Sequence, residues 1–414
     1  MLSPYRQTSF EPSEELEPSR IKCTPVPEHI LHELLSEQFQ SSFRSLMVSR
    51  GYVCRDDADG ILTFVINPEL ATEASSHTDP AKLYDICNLF DKRGIISVDP
   101  RHIVNKGGST ILTCASIQLI EPVIQSGEPP LPFPIFAAQP VIRSQFMKNI
   151  QPGYLSAFVN LGTMQANIQP QEHFDIAEKW LDVLFELGLR GENLSFKLLP
   201  KSERAWGRTH LHFLSVTVSH LALEIGEFNF LYGYNQAGIL TVSDCGFGLE
   251  RIRWCVSQQS DFFEEALGPK LPDYRDPILL DNLRALVLLA GHQVQPSNKD
   301  EGYRFRRYSK ELVARHYASD RLPLEPLVES FYEEWSRWTV LPASLEDVQT
   351  NIKQENKRNI QRLILIELEE RGKALDININ LAKDRFLSGL LNSGVSAPDI
   401  RRLEEKYSGE WSQW

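Results

Sequence analysis

The order of periodicities along the chain constrains the fold more than any other feature. Every segment of strand character lies before residue 249, and almost everything beyond it is helical in pattern. His210 to Leu223 alternates, with His212, Leu214, Val216 and Val218 set against Ser215, Thr217 and Ser219, the period of a half-buried strand. Ile61–Val65, Ser109–Ile120 (a strand leading into a short turn), Ile135–Ile142, Leu155–Leu161, Phe228–Tyr234 and Ile239–Val242 are predicted as further strands. Ser126–Pro134 is a proline-stiffened loop feeding the third of these. Helical spacing is found over Ile30–Met47, Lys82–Phe90 and Glu172–Leu187, the last with Phe174, Ala177, Trp180, Leu181, Leu184 and Phe185 on one side. Strands first and helices later predicts an α+β unit followed by an all-α unit, divided near residue 258. Residues 1–27, rich in Pro, Ser and Glu and without apolar periodicity, are expected to be a disordered lead-in.

Composition narrows the class. A length of 414 residues suggests two or three units at about 150 residues each. No apolar run approaches the roughly 18 residues needed to cross a bilayer, and none follows Met1 as a secretory signal would. The six cysteines are scattered without a CxxC pair, so they read as free thiols in a reducing compartment and not as a zinc site. The expectation is a soluble, cytoplasmic protein without a membrane partner. A net charge of −12 argues against sequence-blind attraction to phosphate backbones but leaves room for a local basic patch. Arg304, Arg306, Arg307, Lys310 and Arg315 form one such cluster, opposed by Glu311; on charge alone it reads as a solvated helix face.

The most informative segment is Thr241–Ile252, TVSDCGFGLERI. A strand runs into Gly246 and Gly248, and a helix then opens with Glu250 and Arg251. Glycines there let a backbone approach a flat or anionic ligand. An arginine in a first helical turn adds a fork of donors beside a positive helix end, suited to phosphate. Asp244 is placed to hold an ammonium group. Taken alone, Gly-x-Gly is also what a tight strand-to-helix turn with a surface arginine looks like.

The segment closely resembles the third signature motif of class II aminoacyl-tRNA synthetases in its alanyl form. By that resemblance Asp244 grips the substrate's α-amino group and Arg251 holds the ATP γ-phosphate. Ile111–Gln118 (ILTCASIQ) through Phe136–Arg143 (FAAQPVIR) is similar to the alanyl family's path into its second motif, which puts Arg143 on the α-phosphate. Asn282–Asn298 (NLRALVLLAGHQVQPSN) through Glu301–Arg307 (EGYRFRR) is similar to the family's tRNA-acceptor-stem domain. It assigns Asn298 to reading the stem and turns Arg304, Arg306, Arg307 and Lys310 into an expected tRNA patch. The resemblance covers roughly residues 36 to 53 and 109 to 400. It implies a class II antiparallel sheet flanked by helices over 28–258, with 54–108 as an insertion, and a helical tRNA-acceptor-recognition domain over 259–414. No HxxxH plus CxxxH signature of an editing domain is found, so a specialised paralogue without one is expected.

The pattern departs from the family at several places. Ala157–Met164 (AFVNLGTM) replaces FFEMLGNF, so the ATP-site glutamate falls on Val159 and the adenine-facing methionine on Asn160. Glu224–Phe230 (EIGEFNF) replaces EIWNLVF, so a substrate-holding Asn becomes Glu227 and a pocket Val becomes Asn229. A carboxylate and an amide burden a pocket built for a methyl group, because buried polar groups without partners cost about 1–3 kcal/mol each. The expected substrate is therefore a polar or basic amino acid other than alanine. Leu390–Gly394 (LLNSG) replaces an acidic YD-x-x-G segment, which removes one partner in acceptor-stem reading.

The expected chemistry is attack of an amino-acid carboxylate on the α-phosphorus of ATP, with pyrophosphate leaving and acyl transfer to a tRNA 3′ end. Mg²⁺ is expected to bridge the phosphates, with Glu224 as a helper. Two other readings stand beside it: adenylation with a carrier protein or small molecule as acceptor, and an inactive tRNA-binding or regulatory module. His210 and His212 are read as core or cleft histidines rather than metal ligands, Trp206 and Trp254 as packing residues, and Leu363, Leu365, Ile366 and Leu368 as helix core.

Overall fold

The computed structural model describes residues 28–56, 61–67, 80–207, 209–257, 261–267, 276–316, 324–372 and 375–411. The expected lead-in and the expected division near residue 258 lie outside them. The strands are β1 (Tyr52–Asp56), β2 (Leu62–Ile66), β3 (Ile96–Ser97), β4 (Ile135–Ile142), β5 (Ala157–Ala166), β6 (Leu194–Leu198), β7 (Ser202–Trp206), β8 (Thr209–His220), β9 (Leu223–Asn235) and β10 (Gly238–Gly248). They form one sheet in the order β1-β2-β6-β8-β9-β10-β5-β4-β3, with β7 also pairing β8. Every pairing is antiparallel except β3 with β4. The 54–108 stretch supplies strands to both ends of this sheet.

Helices α1 (Glu28–Ser49), α2 (Ile86–Asp91), α3 (Glu121–Ser126) and α4 (Pro170–Glu186) precede the last strand. α4 opens on Pro170, whose fixed φ suits a first turn, and Glu172 reaches back to the Gln169 N–H at 2.7 Å. Phe39 and Phe43 of α1 and Phe174 and Trp180 of α4 are fully or almost fully buried against one face of the sheet. Trp180 stacks on Phe247 with ring centroids 4.2 Å apart. The residue between the two glycines is thus an anchor on the core side of β10.

The remaining helices are α5 (Leu249–Ser257), α6 (Phe262–Leu267), α7 (Pro277–Gly291), α8 (Asp300–His316), α9 (Glu325–Ser336), α10 (Leu345–Glu370), α11 (Lys383–Asn392) and α12 (Ala397–Trp411). Asp276 caps α7 through the Ile278 and Leu279 N–H groups, and Ser344 with Asp347 closes a reciprocal cap on α10. Eleven consecutive buried positions, Asp281 to Gly291, make α7 buried nearly all round, so it is the axis of the helical region. Leu363, Leu365 and Leu368 pack in a separate core with α11 and α12, whereas Ile366 is 40% exposed. The architecture is therefore a large, mostly antiparallel sheet flanked by helices and followed by a helical region, compatible with the class II synthetase fold.

Three local expectations are revised. Ser109–Ile120 does not form a strand; it is an irregular segment ending in a 3-10 turn over Ser116–Ile120. Side chains take over its backbone groups, Gln118 accepting from the Cys114 and Ala115 N–H groups and Glu121 from that of Ser109. β8 is not half-buried, because both faces are covered: Leu214, Val216 and Val218 enter the main core, and Leu211 and Phe213 enter a second core under α3. β10 also runs on through both glycines, so they sit in the sheet and not in a turn.

Candidate active site

The face of β10 away from α4 floors an open cleft of about 590 Å³, within the roughly 300–1,000 Å³ typical of ligand sites. A Cβ on Gly246 would meet only Asn160 Nδ2, at 3.6 Å, so the protein itself does not fill that space. A Cβ on Gly248 would lie 3.3 Å from Arg251 Cδ, so this glycine leaves room for the arginine. Arg143, Asn160, Glu224, Glu227, Asn229, Asp244, Gly246, Gly248 and Arg251 all line the cleft.

Arg143 follows the end of β4 and Arg251 sits in the first turn of α5, more than one hundred residues later. Arg143 donates from Nε to the Cys114 carbonyl (3.1 Å), and its guanidinium lies 5.0 Å from the Phe158 ring. Arg251 donates from Nε to the Gly153 carbonyl (2.6 Å) and from Nη1 to the Glu224 carbonyl (2.9 Å) and Oε1 (3.1 Å). Its guanidinium covers Tyr154 at 4.4 Å. Burial lowers the Arg143 pKa from its ordinary value, and the Arg251 charge adds to this against Cys114, Glu227 and Glu224. Two like charges held over one cavity favour an anion between them.

The acidic side is set by sheet register. Asp244 on β10 faces Asn229 on β9, Gly246 faces Glu227, and Asn229 in turn faces Ser215 on β8. Ser215 Oγ donates to Asn229 Oδ1 at 2.5 Å, and Asn229 Nδ2 donates to Glu227 Oε2 at 3.2 Å. Burial, reinforced by Glu227 and opposed by Arg143, pushes the Asp244 carboxyl up to about 7.

Val159 is not in the cleft. The two-residue period of β5 turns it into the main core, where its N–H donates to both Glu250 oxygens at 3.2 Å; Phe158 and Asn160 face the cleft instead. Asn160 Oδ1 accepts from the Ser116 N–H (2.8 Å) and Oγ (3.0 Å), and Nδ2 donates to the Phe247 carbonyl (3.2 Å). It therefore braces the Ser116 turn against β10.

Sequence reasoning passed over several wall residues. Phe158 and Tyr154 carry the two arginines, but each lies far along the chain from its arginine, so no local signal marked them. Glu121 gave no signal: it gathers Asn105 Nδ2 (3.0 Å), the Ser109 N–H (2.7 Å), Gln125 Nε2 (2.8 Å) and Trp206 Nε1 (3.2 Å). Trp206 both packs on the second core and lines the cleft. Trp254 packs on Phe262. His212 is nearly buried, with Nδ1 3.0 Å from Glu203 Oε1 and its ring 4.0 Å from that of His32, while His210 is exposed. Among the described residues no group of three or more His, Cys, Asp or Glu is placed to hold a metal ion. Glu224, the expected metal helper, is the ion-pair partner of Arg251.

The helical region carries the expected tRNA residues away from this cleft lining. Asn298 is exposed and accepts from Arg306 Nη1, and Arg306 Nε also pairs with Glu355 at 3.2 Å. Among the described residues Arg304, Arg307 and Lys310 have no ion pair; Lys310 is exposed and the two arginines are half-buried. Arg315 pairs with Glu311 and Asp276, and Lys148 also reaches Glu311. No helix among the described residues is long and apolar enough to cross a membrane.

No family model matches the sequence. Three curated relatives are alanine–tRNA ligases. That of Hyperthermus butylicus is 22% identical over 420 aligned positions, covering 77% of this chain and 46% of that protein. That of Aeropyrum pernix is 23% identical over 319, covering 60% and 35%. That of Ignicoccus hospitalis is 25% identical over 205, covering 46% and 22%. The chain spans less than half the length of each. On a fold compatible with the class II synthetases, it thus shares a low-identity, partial likeness with alanine–tRNA ligases.

Proposed function

We propose that the cleft activates an amino acid with ATP and passes the acyl group to a tRNA 3′ end, as a specialised synthetase-like ligase with an altered amino-acid pocket. One observation carries the reading: guanidinium groups from two distant stretches line the same cavity as Asp244. In this reading Arg143 takes the α-phosphate and Arg251 the γ-phosphate, through the Nη2 that its Gly153 and Glu224 contacts leave free, while Asp244 takes the α-ammonium. The substrate carboxylate oxygen bonds to the α-phosphorus, the bond to the bridging oxygen breaks, and the electron pair leaves with pyrophosphate. The carboxylate is already ionised, so no general base is needed, and catalysis is positioning plus preorganised positive charge. Magnesium would enter this cleft as part of the nucleotide substrate, on phosphate oxygens with Glu224 as the proposed protein carboxylate, since among the described residues no group of His, Cys, Asp or Glu builds a cage. The unpaired Arg304, Arg307 and Lys310 are the proposed contacts for the tRNA backbone, beside Asn298; Arg306 is better assigned to bracing Asn298.

The test is an ATP–pyrophosphate exchange screen across proteinogenic and unusual amino acids. Exchange is expected with a polar or basic amino acid. No exchange with any would remove the adenylation reading, and far better exchange with alanine than with every polar amino acid would remove the altered pocket.

A pH dependence follows from Asp244. Its carboxyl is raised from 3.8 to about 7, so between those values the folded state holds the proton more tightly than the unfolded chain. Its contribution to stability is thus present at low pH and lost as pH rises through about 7. Amine binding has the opposite need, because only the ionised carboxylate pairs with ammonium. KM for the amino acid is expected to rise about tenfold per pH unit below about 7, and Asp244→Asn should abolish that limb while raising the denaturation midpoint at neutral pH. A flat KM profile from acid to neutral pH would contradict the assignment.

A further inference from the structure

The acidic side of the cleft holds more negative charge than one α-ammonium can balance. Asp244 and Glu227 are diagonal neighbours on β10 and β9 and line one cavity. Among the described residues neither carboxylate has an ion-pair partner, and Asp244 has no side-chain hydrogen bond. Arg143 offsets both carboxylates only from beyond ion-pair distance, its Nε donating to the Cys114 carbonyl, and Arg251 is engaged by Gly153 and Glu224. The chain from Ser215 through Asn229 delivers its last donor to Glu227 Oε2, which leaves Oε1 without a donor among the described residues on a side chain that lines the cleft.

We infer that the amino acid taken by this cleft bears a second cation, an amine or guanidinium on its side chain, and that Glu227 selects it. The inference rests on the adenylation reading for the position of the α-ammonium, at Asp244. A hydroxyl or amide side chain would supply a donor to Glu227 but leave its charge desolvated and uncompensated, whereas a cation satisfies both. Diagonal positions on adjacent strands are about 7–8 Å apart, a gap that a diamino acid of ornithine or lysine length spans between two carboxylates. The third carboxylate, Glu224, is already neutralised by Arg251 and makes no further demand.

The experiment compares cationic amino acids with neutral partners of the same shape: ornithine with norvaline, lysine with norleucine, and arginine with citrulline. ATP–pyrophosphate exchange should favour at least one cationic member by more than about tenfold in kcat/KM. Glu227→Gln should collapse that ratio, and Glu227→Asp should restore part of it. Exchange that runs equally well or better with the neutral members overturns the inference and leaves adenylation standing. Exchange with no amino acid at all removes the adenylation reading. Calorimetric binding of the same pairs then decides the pocket, and equal or undetectable binding of the cationic and neutral members overturns the inference as well.

Discussion

Arg251→Ala should lower ATP–pyrophosphate exchange by roughly 10²–10³-fold, with most of the loss in kcat. The size follows from what the side chain does in the proposed reaction. Charge grows on the leaving pyrophosphate as the bond to the α-phosphorus breaks, and a guanidinium already fixed by Gly153, Glu224 and Tyr154 meets it without reorganising. Arg251→Lys should recover little, since one ammonium cannot keep the Gly153 and Glu224 contacts and also fork onto phosphate. The side chain is 15% exposed and lies at the cleft wall, so a moderate loss of stability is expected, and thermal melts of both variants separate folding from chemistry. Exchange within about threefold of the parent in a folded Arg251→Ala protein would break the assignment of phosphate binding to this residue.

The fold was legible where one periodicity dominated. α4 shows its apolar stripe plainly, and β4, apolar but for Gln139, is buried along its whole length. Legibility failed where side chains replaced a ladder. Ser109–Ile120 has the composition of a strand, but Gln118 and Glu121 lie within a dozen residues and capture its N–H groups, a competition that periodicity does not register. β8 failed differently, because its alternation of polar and apolar residues marks two faces without saying that both are covered.

In the cleft the sequence marked Arg143, Asp244 and Arg251 through local motifs, while sheet pairing brought them to one cavity. Glu227 and Asn229 were visible as departures; the donor chain from Ser215 that orients them depends on the β8–β9 register and could not be read along the chain. Val159 shows the limit of position-by-position transfer. A one-residue difference in facing moves a side chain from cleft to core, and a valine at that site serves the core through its methyl groups and Glu250 through its N–H.

Behind that wall lies the second large effect. Arg284 on α7 is fully buried, yet it donates from Nη1 to the Ala157 carbonyl (2.7 Å) and from Nη2 to Glu250 Oε1 (2.5 Å) and Glu334 Oε1 (3.4 Å), with Trp335 against its guanidinium face at 4.3 Å. Burial opposes its charge, but the Glu334 and Glu250 carboxylates outweigh that and keep it a cation. Beside it, Asp281 accepts from the Ser156 N–H and hydroxyl at 3.0 and 2.5 Å. The helical region is thereby tied to the first residues of β5 and to the residue preceding Arg251. Arg284→Ala should destabilise the protein by about 3–5 kcal/mol, because Glu250 would remain buried without its counter-ion. Arg284→Met combined with Glu250→Gln should recover much of that loss, since the glutamine still accepts from the Val159 N–H and Glu334 keeps Arg253 at 3.6 Å as its counter-ion. Urea midpoints at constant slope measure both. A loss below about 1 kcal/mol for Arg284→Ala would mean that apolar packing of α7 alone joins the two regions. If the single variant is severely destabilised and the double variant is close to the parent, the cost lies in the stranded Glu250 charge and not in the loss of the pair, so the apolar packing of α7 holds the junction and the ion pair adds little net stability to it.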